Sequence, residues 1–321
     1  MSESVTIKVP ARLHLGFLDI PRSGSDRFGS VGLPVQDIAT VLTISRSAET
    51  QVHGDEQARI EQHALSLCNH LGIKTQHRIN VQRAIPRHIG LGSGTQIALA
   101  VAAAIRTLHG LPLDAVNDAV LLGRGSRSGI GIAAFEEGGV IVDAGKGAGS
   151  AAPTVISRIP FPEAWRIILV FDASTQGIHG EAEIEAFRTL PPFPVETSAA
   201  ICRHVLMGIM PALIEQDLSL FGRAVEAIQA EIGNYFAPAQ GGVFTSKHVE
   251  AAIRQLAQAG AVGIGQSSWG PTGFAFAASQ TEATRIVDAI GGRSPGTTIQ
   301  IVAGRNAGAD ITHTALNFAT A

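Results

Sequence analysis

The chain has 321 residues and a mass of 33.4 kDa, with 45% hydrophobic, 16% charged and 5% aromatic residues. That balance describes a globular protein of about two domains and excludes a disulfide miniprotein or a disordered tail. A formal net charge of -3 and a pI near 6.4 give no bulk attraction to nucleic acid or an anionic membrane, so partners must be argued from local features.

The opening segment, MSESVTIKVPARLHLGF, lacks the basic stretch, apolar run and cleavage site of a signal peptide. Runs 5–9 and 38–44 are rich in β-branched residues and predict strands, joined by a connection of glycines and arginines over 22–32. Helical spacing covers 56–71. A strand over 77–85 stops at Pro86, the turn GLGSG follows, and an Ala-rich helix is expected over 95–108. A short helix is expected over 114–122, and VIVDAG ends a strand at Asp143. The low-complexity stretch GKGAGSAAP, with Pro160 and Pro162 beyond it, places a domain boundary near 160, giving domains 1–160 and 161–321. The second half reads as helices over 180–259, interrupted by PPFP, and strands at 261–265, 273–278 and 298–303. Helices and strands mix without a βαβ repeat, so the fold class is α+β. The longest apolar segment, 97–105, is too short to span a membrane and stops at Arg106. Cys68 and Cys202 form no CxxC, which predicts neither zinc site nor disulfide framework and makes a reducing cytoplasm the expected location.

The 24 basic residues are 20 Arg and 4 Lys, and arginine's rigid fork of donors suits phosphate and carboxylate, although codon bias gives the same excess. PRHIGLGSGTQ at 86–96 leads straight into a helix, and backbone N–H groups in such a turn, aligned with the positive end of the helix, form an anion site. The loop has neither the Lys of GxxxxGK[ST] nor the spacing of GxGxxG.

PxxxGLGS at 86–93, PARLHLG at 10–16 and GQSSWGPTGFAF at 265–276 resemble, in order and spacing, the three signature segments of the GHMP kinase superfamily. The resemblance implies an N-terminal ribosomal-protein-S5-like domain, a C-terminal ferredoxin-like domain and a phosphate-binding glycine loop. The kinase pattern is incomplete, however. Gly131 stands where PSGIDxA-type segments carry an acid, Asp118 is the acid nearest the position of a metal-ligating Glu, and Gly94 replaces the second serine of GLGSS. Seven blocks between residues 10 and 276, among them RFGSVGL, GRGSRSGIGIAAFEEGGVIVDAG and GIHGEAEIEAF, resemble instead the β-ribofuranosylaminobenzene 5′-phosphate synthase family, a non-kinase branch. That family joins phosphoribosyl diphosphate to 4-aminobenzoate with loss of CO2 and diphosphate, an early step toward methanopterin-type C1 carriers; 4-hydroxybenzoate is the alternative acceptor, and the sequence does not distinguish the two. Runner-up readings are an ATP-dependent small-molecule kinase and a non-catalytic phosphate-ligand binding protein.

Such a reaction needs cationic and N–H donors for two phosphate clusters, and a departing diphosphate calls for Mg2+ or Arg. Mg2+ with the diphosphate, no ATP and a homodimer are what the resemblance implies. The phosphate and substrate candidates are Arg12, Arg22, Arg27, Arg87, Gly90, Gly92, Ser93, Gly94, Thr95, Gln96, Arg124, Arg127 and Ser128, with the glycine loop holding one cluster and Arg124 with Arg127 the other. Asp19, Asp143 and the series Glu181, Glu183, Glu185 are candidates for a carboxylate near the ribose centre; His14, His179, Ser267 and Ser268 are candidate partners of the ring carboxylate. Ordinary roles stand beside these: Glu181 and Glu185 share a helix face and read as solvated surface, Asp143 as a turn cap, and Trp269 as core. The metal ligands are left unassigned.

Overall fold

The computed structural model describes residues 3–21, 27–291 and 296–314. Arg22, one of the expected phosphate ligands, lies outside the described residues.

The first half is built on two long antiparallel strands, β1 (Ser4–Phe17) and β2 (Ser30–Ser47). β2 begins inside the stretch expected to be a connection. Its far half pairs with β4 (Gln76–Arg83), which carries the short parallel β3 (Gln51–His53) at its edge. Its near end, Ser30 to Gly32, pairs with β5 (Val140–Asp143), and β5 in turn pairs with β6 (Val155–Ile159).

Four helices cover this sheet: α1 (Gln57–Leu71), α2 (Ser93–Leu108), α3 (Ala115–Leu121) and α4 (Ile130–Glu136). α1 buries Ile60, His63, Ala64 and Leu67, the i, i+3, i+4, i+7 stripe of an amphipathic helix. α2 is buried on nearly every side from Gln96 onward, because its alanines let the sheet and the other helices approach closely. Its first residues, Ser93 to Thr95, and Thr107 near its end are partly exposed.

The second sheet is antiparallel in the order β10 (Thr298–Val302), β7 (Arg166–Phe171), β9 (Gly273–Ala277), β8 (Val262–Gln266). α9 (Lys247–Gln258) and α10 (Gln280–Ala289) bury one of its faces. The connection from β7 to β8 carries α5 (Glu181–Thr189), α6 (Val195–His204), α7 (Met210–Glu215) and the long α8 (Leu218–Gln240). A π-turn at Val205–Ile209 joins α6 to α7. The run Val195–Glu215 is long and apolar enough, by length and composition, to match a membrane span, which the sequence did not anticipate. Its inner face, with Ile201, Val205, Ile209 and Leu213, belongs to the largest core cluster.

α8 packs on both β8 and β1, and that cluster takes residues from both halves, including Leu13, Leu15, Trp165, Phe221 and Phe274. The chain then crosses back: β11 (Asp310–Thr314) pairs antiparallel with β1, from Ser4 opposite Thr314 to Lys8 opposite Asp310. A division at 160 assigns these residues to the second unit, whereas the pairing puts them in the first sheet.

Candidate active site

The three motif segments meet at the glycine loop. Gly90 and Gly92 have φ of 81° and 78°, which L side chains rarely adopt, and a Cβ at Gly90 would lie 2.2 Å from the Ser267 carbonyl oxygen. The Gly90 carbonyl accepts from Arg12 Nη1 at 2.9 Å and from Ser267 Oγ at 2.7 Å. Ser267 Oγ in turn accepts from the His14 N–H at 3.0 Å, and the Ser268 N–H reaches the His14 carbonyl at 3.3 Å. Arg12 is pressed against Gly92, where a Cβ would lie 2.9 Å from its Nε. Enclosure draws the Arg12 pKa down to about 10, against the pull of nearby Glu183, so it stays cationic at neutral pH.

No side chain caps the N-terminus of α2, and its first turn contains no acid. The N–H groups of Thr95 and Gln96 return to the Gly92 carbonyl. Half-buried Ser93 and Gly94 therefore present the positive end of a buried helix, where the dipole is poorly screened. A Cβ at Gly94 would stand 3.2 Å from Arg124 Nη1 and 3.9 Å from Arg59 Nη1. Glu56 joins Arg59 at 3.4 Å and Arg87 at 3.0 Å. His63, one turn on from Arg59, is 6% exposed, and its Nε2 has no hydrogen-bond partner. Sequence reasoning missed Arg59, His63 and Glu56; their i, i+3 and i, i+4 spacings with Arg59 were the available signal.

Arg127 is engaged by partners that the sequence did not anticipate: its Nη1 lies 2.6 Å from Glu183 Oε1, and its guanidinium lies over the Phe187 ring. Trp269 Nε1 donates to the same carboxylate at 3.1 Å, while the indole is buried against Phe236 and Phe187, as the core reading expected. Glu183 is thus the member of its series that faces the cleft. Glu181 is exposed, and Glu185 pairs with Arg188 on the surface.

Several candidates serve the frame. Asp143 is fully buried: its Oδ1 accepts from the Gly145 N–H at 2.8 Å, and its Oδ2 from the Gly129 N–H at 3.1 Å and from Ser30 Oγ. Burial raises its pKa against those hydrogen bonds. Its oxygens are therefore taken, and it fixes the loop that carries Arg127 instead of facing a reacting atom. The Ser30 proton goes to Asp143, so Ser128 Oγ donates to Ser30 Oγ at 2.7 Å and accepts from the Ile130 N–H, which helps to start α4. The Oγ of Ser267 is likewise committed, which removes it as a partner for a ring carboxylate. Asp19 accepts from the Ile20 N–H and lies near Cys202 of α6. Arg27 is exposed and lies against Gly145 and Gly147. His179 stacks on His88 with centroids 3.5 Å apart, and its Nδ1 is bonded to the Gly177 carbonyl.

His14 was expected to face a cleft or water. It is 3% exposed, because α8 covers the outer face of β1, and its Nε2 has no partner. Burial and the charge of Arg12 push its pKa down to about 3. The neutral ring packs against Phe17 in a pocket shared with Phe236, Gln266, Ser268 and Trp269.

The positions that would serve a kinase are closed. A Cβ at Gly131 would lie 2.9 Å from Thr95 Cγ2, so an acid does not fit there without displacement. Asp118 is buried in a two-pronged pair with Arg106, at 2.6 and 2.7 Å. Gln96 Nε2 donates to the Gly131 carbonyl, which ties α4 to the glycine helix. Among the described residues no group of three or more His, Cys, Asp or Glu converges on a point that could hold a metal.

The GHMP kinases N terminal domain family matches residues 58–139, and the GHMP kinases C terminal family matches 209–294. Among solved structures, a homoserine kinase from Cytophaga hutchinsonii superposes with a TM-score of 0.71 at 20% identity, over 97% of this chain and 98% of its own. A mevalonate diphosphate decarboxylase from Staphylococcus aureus gives 0.67 at 16% identity, over 97% and 98%. These likenesses establish the two-domain GHMP fold. The β-ribofuranosylphenol 5′-phosphate synthase of Methanothermobacter thermautotrophicus is 32% identical over 94% of this chain and 97% of its own length. That of Archaeoglobus fulgidus is 34% identical over 71% and 75%. The chain belongs to the β-ribofuranosylphenol 5′-phosphate synthase family and has a GHMP kinase fold.

Proposed function

We propose that the chain is a decarboxylative C-glycosyltransferase that joins phosphoribosyl diphosphate to a 4-substituted benzoate. The observation that carries the reading is the uncapped N-terminus of α2 ringed by Arg12, Arg59 and Arg124, in a chain with no acid at 131 and with Asp118 sequestered by Arg106. The site is built to hold phosphate charge and lacks the groups that a kinase would use to activate a hydroxyl. The relatives are named for a phenol product, which favours 4-hydroxybenzoate over 4-aminobenzoate, the two acceptors between which the sequence does not choose.

In this reading the C1–O bond of the donor breaks with its electron pair leaving on diphosphate. The ring carbon bearing the carboxylate bonds to C1, and loss of CO2 returns an electron pair to the ring. The chain supplies positioning and charge. Arginines and the helix N-terminus receive the diphosphate, and Glu183, beside Arg12 and Arg127, offers negative charge for an oxocarbenium-like C1. Mg2+ carried by the diphosphate of the substrate would offset the charge of the leaving group; among the described residues no acidic cluster is formed to hold it. A cytoplasmic setting and a homodimer belong to the same reading and rest on the resemblance, together with two free cysteines for the first. The test is diphosphate release with each substrate omitted in turn. Release that needs both the ribosyl donor and the aromatic acid, and no ATP, supports the reading; ADP formed from ATP with a hydroxyl substrate overturns it.

A further inference from the structure

We propose that α1 supplies half of the anion site: Arg59 and His63, together with Arg124, seat the diphosphate of the ribosyl donor on the N-terminus of α2. The inference rests on the transferase reading for the identity of the donor, but the site itself stands on four observations.

The first is charge. Arg59 and Arg87 share the single carboxylate of Glu56, and Arg124 lies within electrostatic reach of Arg59, so among these residues three cations stand against one carboxylate at the positive end of a buried helix. The second is unmet hydrogen bonding. Arg124 Nε is buried with no partner, and His63, 6% exposed and within electrostatic reach of both Arg59 and Arg124, has Nε2 equally unpartnered. Buried donors are rarely left unsatisfied unless something absent from the protein completes them. With its proton on Nε2, the neutral His63 ring donates to an anionic oxygen. The third is space: Arg124 Nη1 stands 3.2 Å from where a Cβ at Gly94 would be, so the glycine leaves room for the guanidinium at the first turn of α2. The fourth is spacing. Arg59 and His63 are four residues apart on α1 and therefore share a face, and Glu56 is bonded to the Arg59 and Arg87 side chains.

The diphosphate, not the 5′-phosphate, is assigned here because this cluster holds the larger uncompensated charge. Arg127, by contrast, is already neutralised by Glu183.

The experiment is calorimetric titration of the full chain with inorganic diphosphate and, separately, with ribose 5-phosphate. It compares the natural protein with Arg59→Gln and His63→Gln, both checked for an unchanged unfolding midpoint. Loss of a charge-assisted contact should weaken diphosphate binding about tenfold or more in Arg59→Gln and about threefold or more in His63→Gln, with ribose 5-phosphate binding changed less than about twofold. Diphosphate affinity unchanged in both variants overturns the proposal, as does an equal loss for both ligands. Should Arg59→Gln unfold, His63→Gln alone decides. Failure of the transferase reading would look different: tight diphosphate binding lost in the variants, but no CO2 released from any aromatic acid.

Discussion

Arg127 and Glu183, which come from segments more than 50 positions apart, meet as an ion pair, with Nη1 of the first 2.6 Å from Oε1 of the second. The pair ties the loop before α4 to the first turn of α5, and Trp269 Nε1 holds the same carboxylate from the C-terminal unit. Both side chains are partly exposed, so the pair itself contributes little stability. Its use is to keep a cation and an anion poised beside Arg12. Arg127→Ala is expected to raise KM for the ribosyl donor about tenfold with a smaller change in kcat, as for one charge-assisted phosphate contact. Glu183→Gln should lower kcat more than it changes KM. Steady-state kinetics with varied donor separates the two effects, and unchanged donor affinity in Arg127→Ala would leave Arg127 as a partner of Glu183 only.

Ser267→Ala tests how the three motif segments are held together. The hydroxyl both donates to the Gly90 carbonyl and accepts from the His14 N–H, and it is fully buried. Removing it strands the His14 donor, at a cost of about 1–3 kcal/mol. Denaturant unfolding should show that loss, and donor KM should rise because the glycine loop is no longer fixed.

Gly131→Asp restores the acid that the superfamily pattern calls for. The Cβ it adds would lie 2.9 Å from Thr95 Cγ2, so overpacking is expected to cost about 1–3 kcal/mol, and no ATP-dependent phosphoryl transfer should appear. Thermal unfolding and an ADP-release assay check both expectations.

Stability should fall in mild acid through buried histidines. His14 is held at a pKa of about 3, and His63 and His77 at about 4, each chiefly by burial. Below the unfolded value of about 6.5, the unfolded chain binds protons that the fold refuses. Stability is therefore full above that pH and is lost as pH falls towards 4, by about 1.4 kcal/mol per pH unit for each histidine in the steep part of the window. Urea unfolding at pH 7 and pH 5 measures the loss, and His63→Gln should make it shallower.

Local physics made much of the fold legible. The stripe of α1 and the alanine run of α2 carry helical periodicity, and the apolar strands β7, β9 and β10 stand out as β-branched or aromatic runs. β3, β6, α10, α4 and β11 were not anticipated. α4 is only seven residues long and opens on glycines, and β11 reads Asp-Ile-Thr-His-Thr, an exposed segment whose partner β1 lies at the other end of the chain. The glycine loop was legible because positive φ demands glycine. The turn-capping role of Asp143 towards Gly145 was legible too, but its bond to Ser30, 113 positions away, was not. Arg59 and His63 escaped because charge on an amphipathic helix reads as solvated surface until the tertiary fold brings Arg124 against it.

The central claim is tested most directly by incubating the chain with phosphoribosyl diphosphate, Mg2+ and carboxyl-labelled 4-hydroxybenzoate or 4-aminobenzoate, without ATP, and counting both small products. Labelled CO2 and diphosphate released in equal amounts, with the ribosyl group bonded to ring carbon, is the predicted result. Diphosphate released with the label still on the aromatic acid, or turnover only when ATP is added, would contradict it.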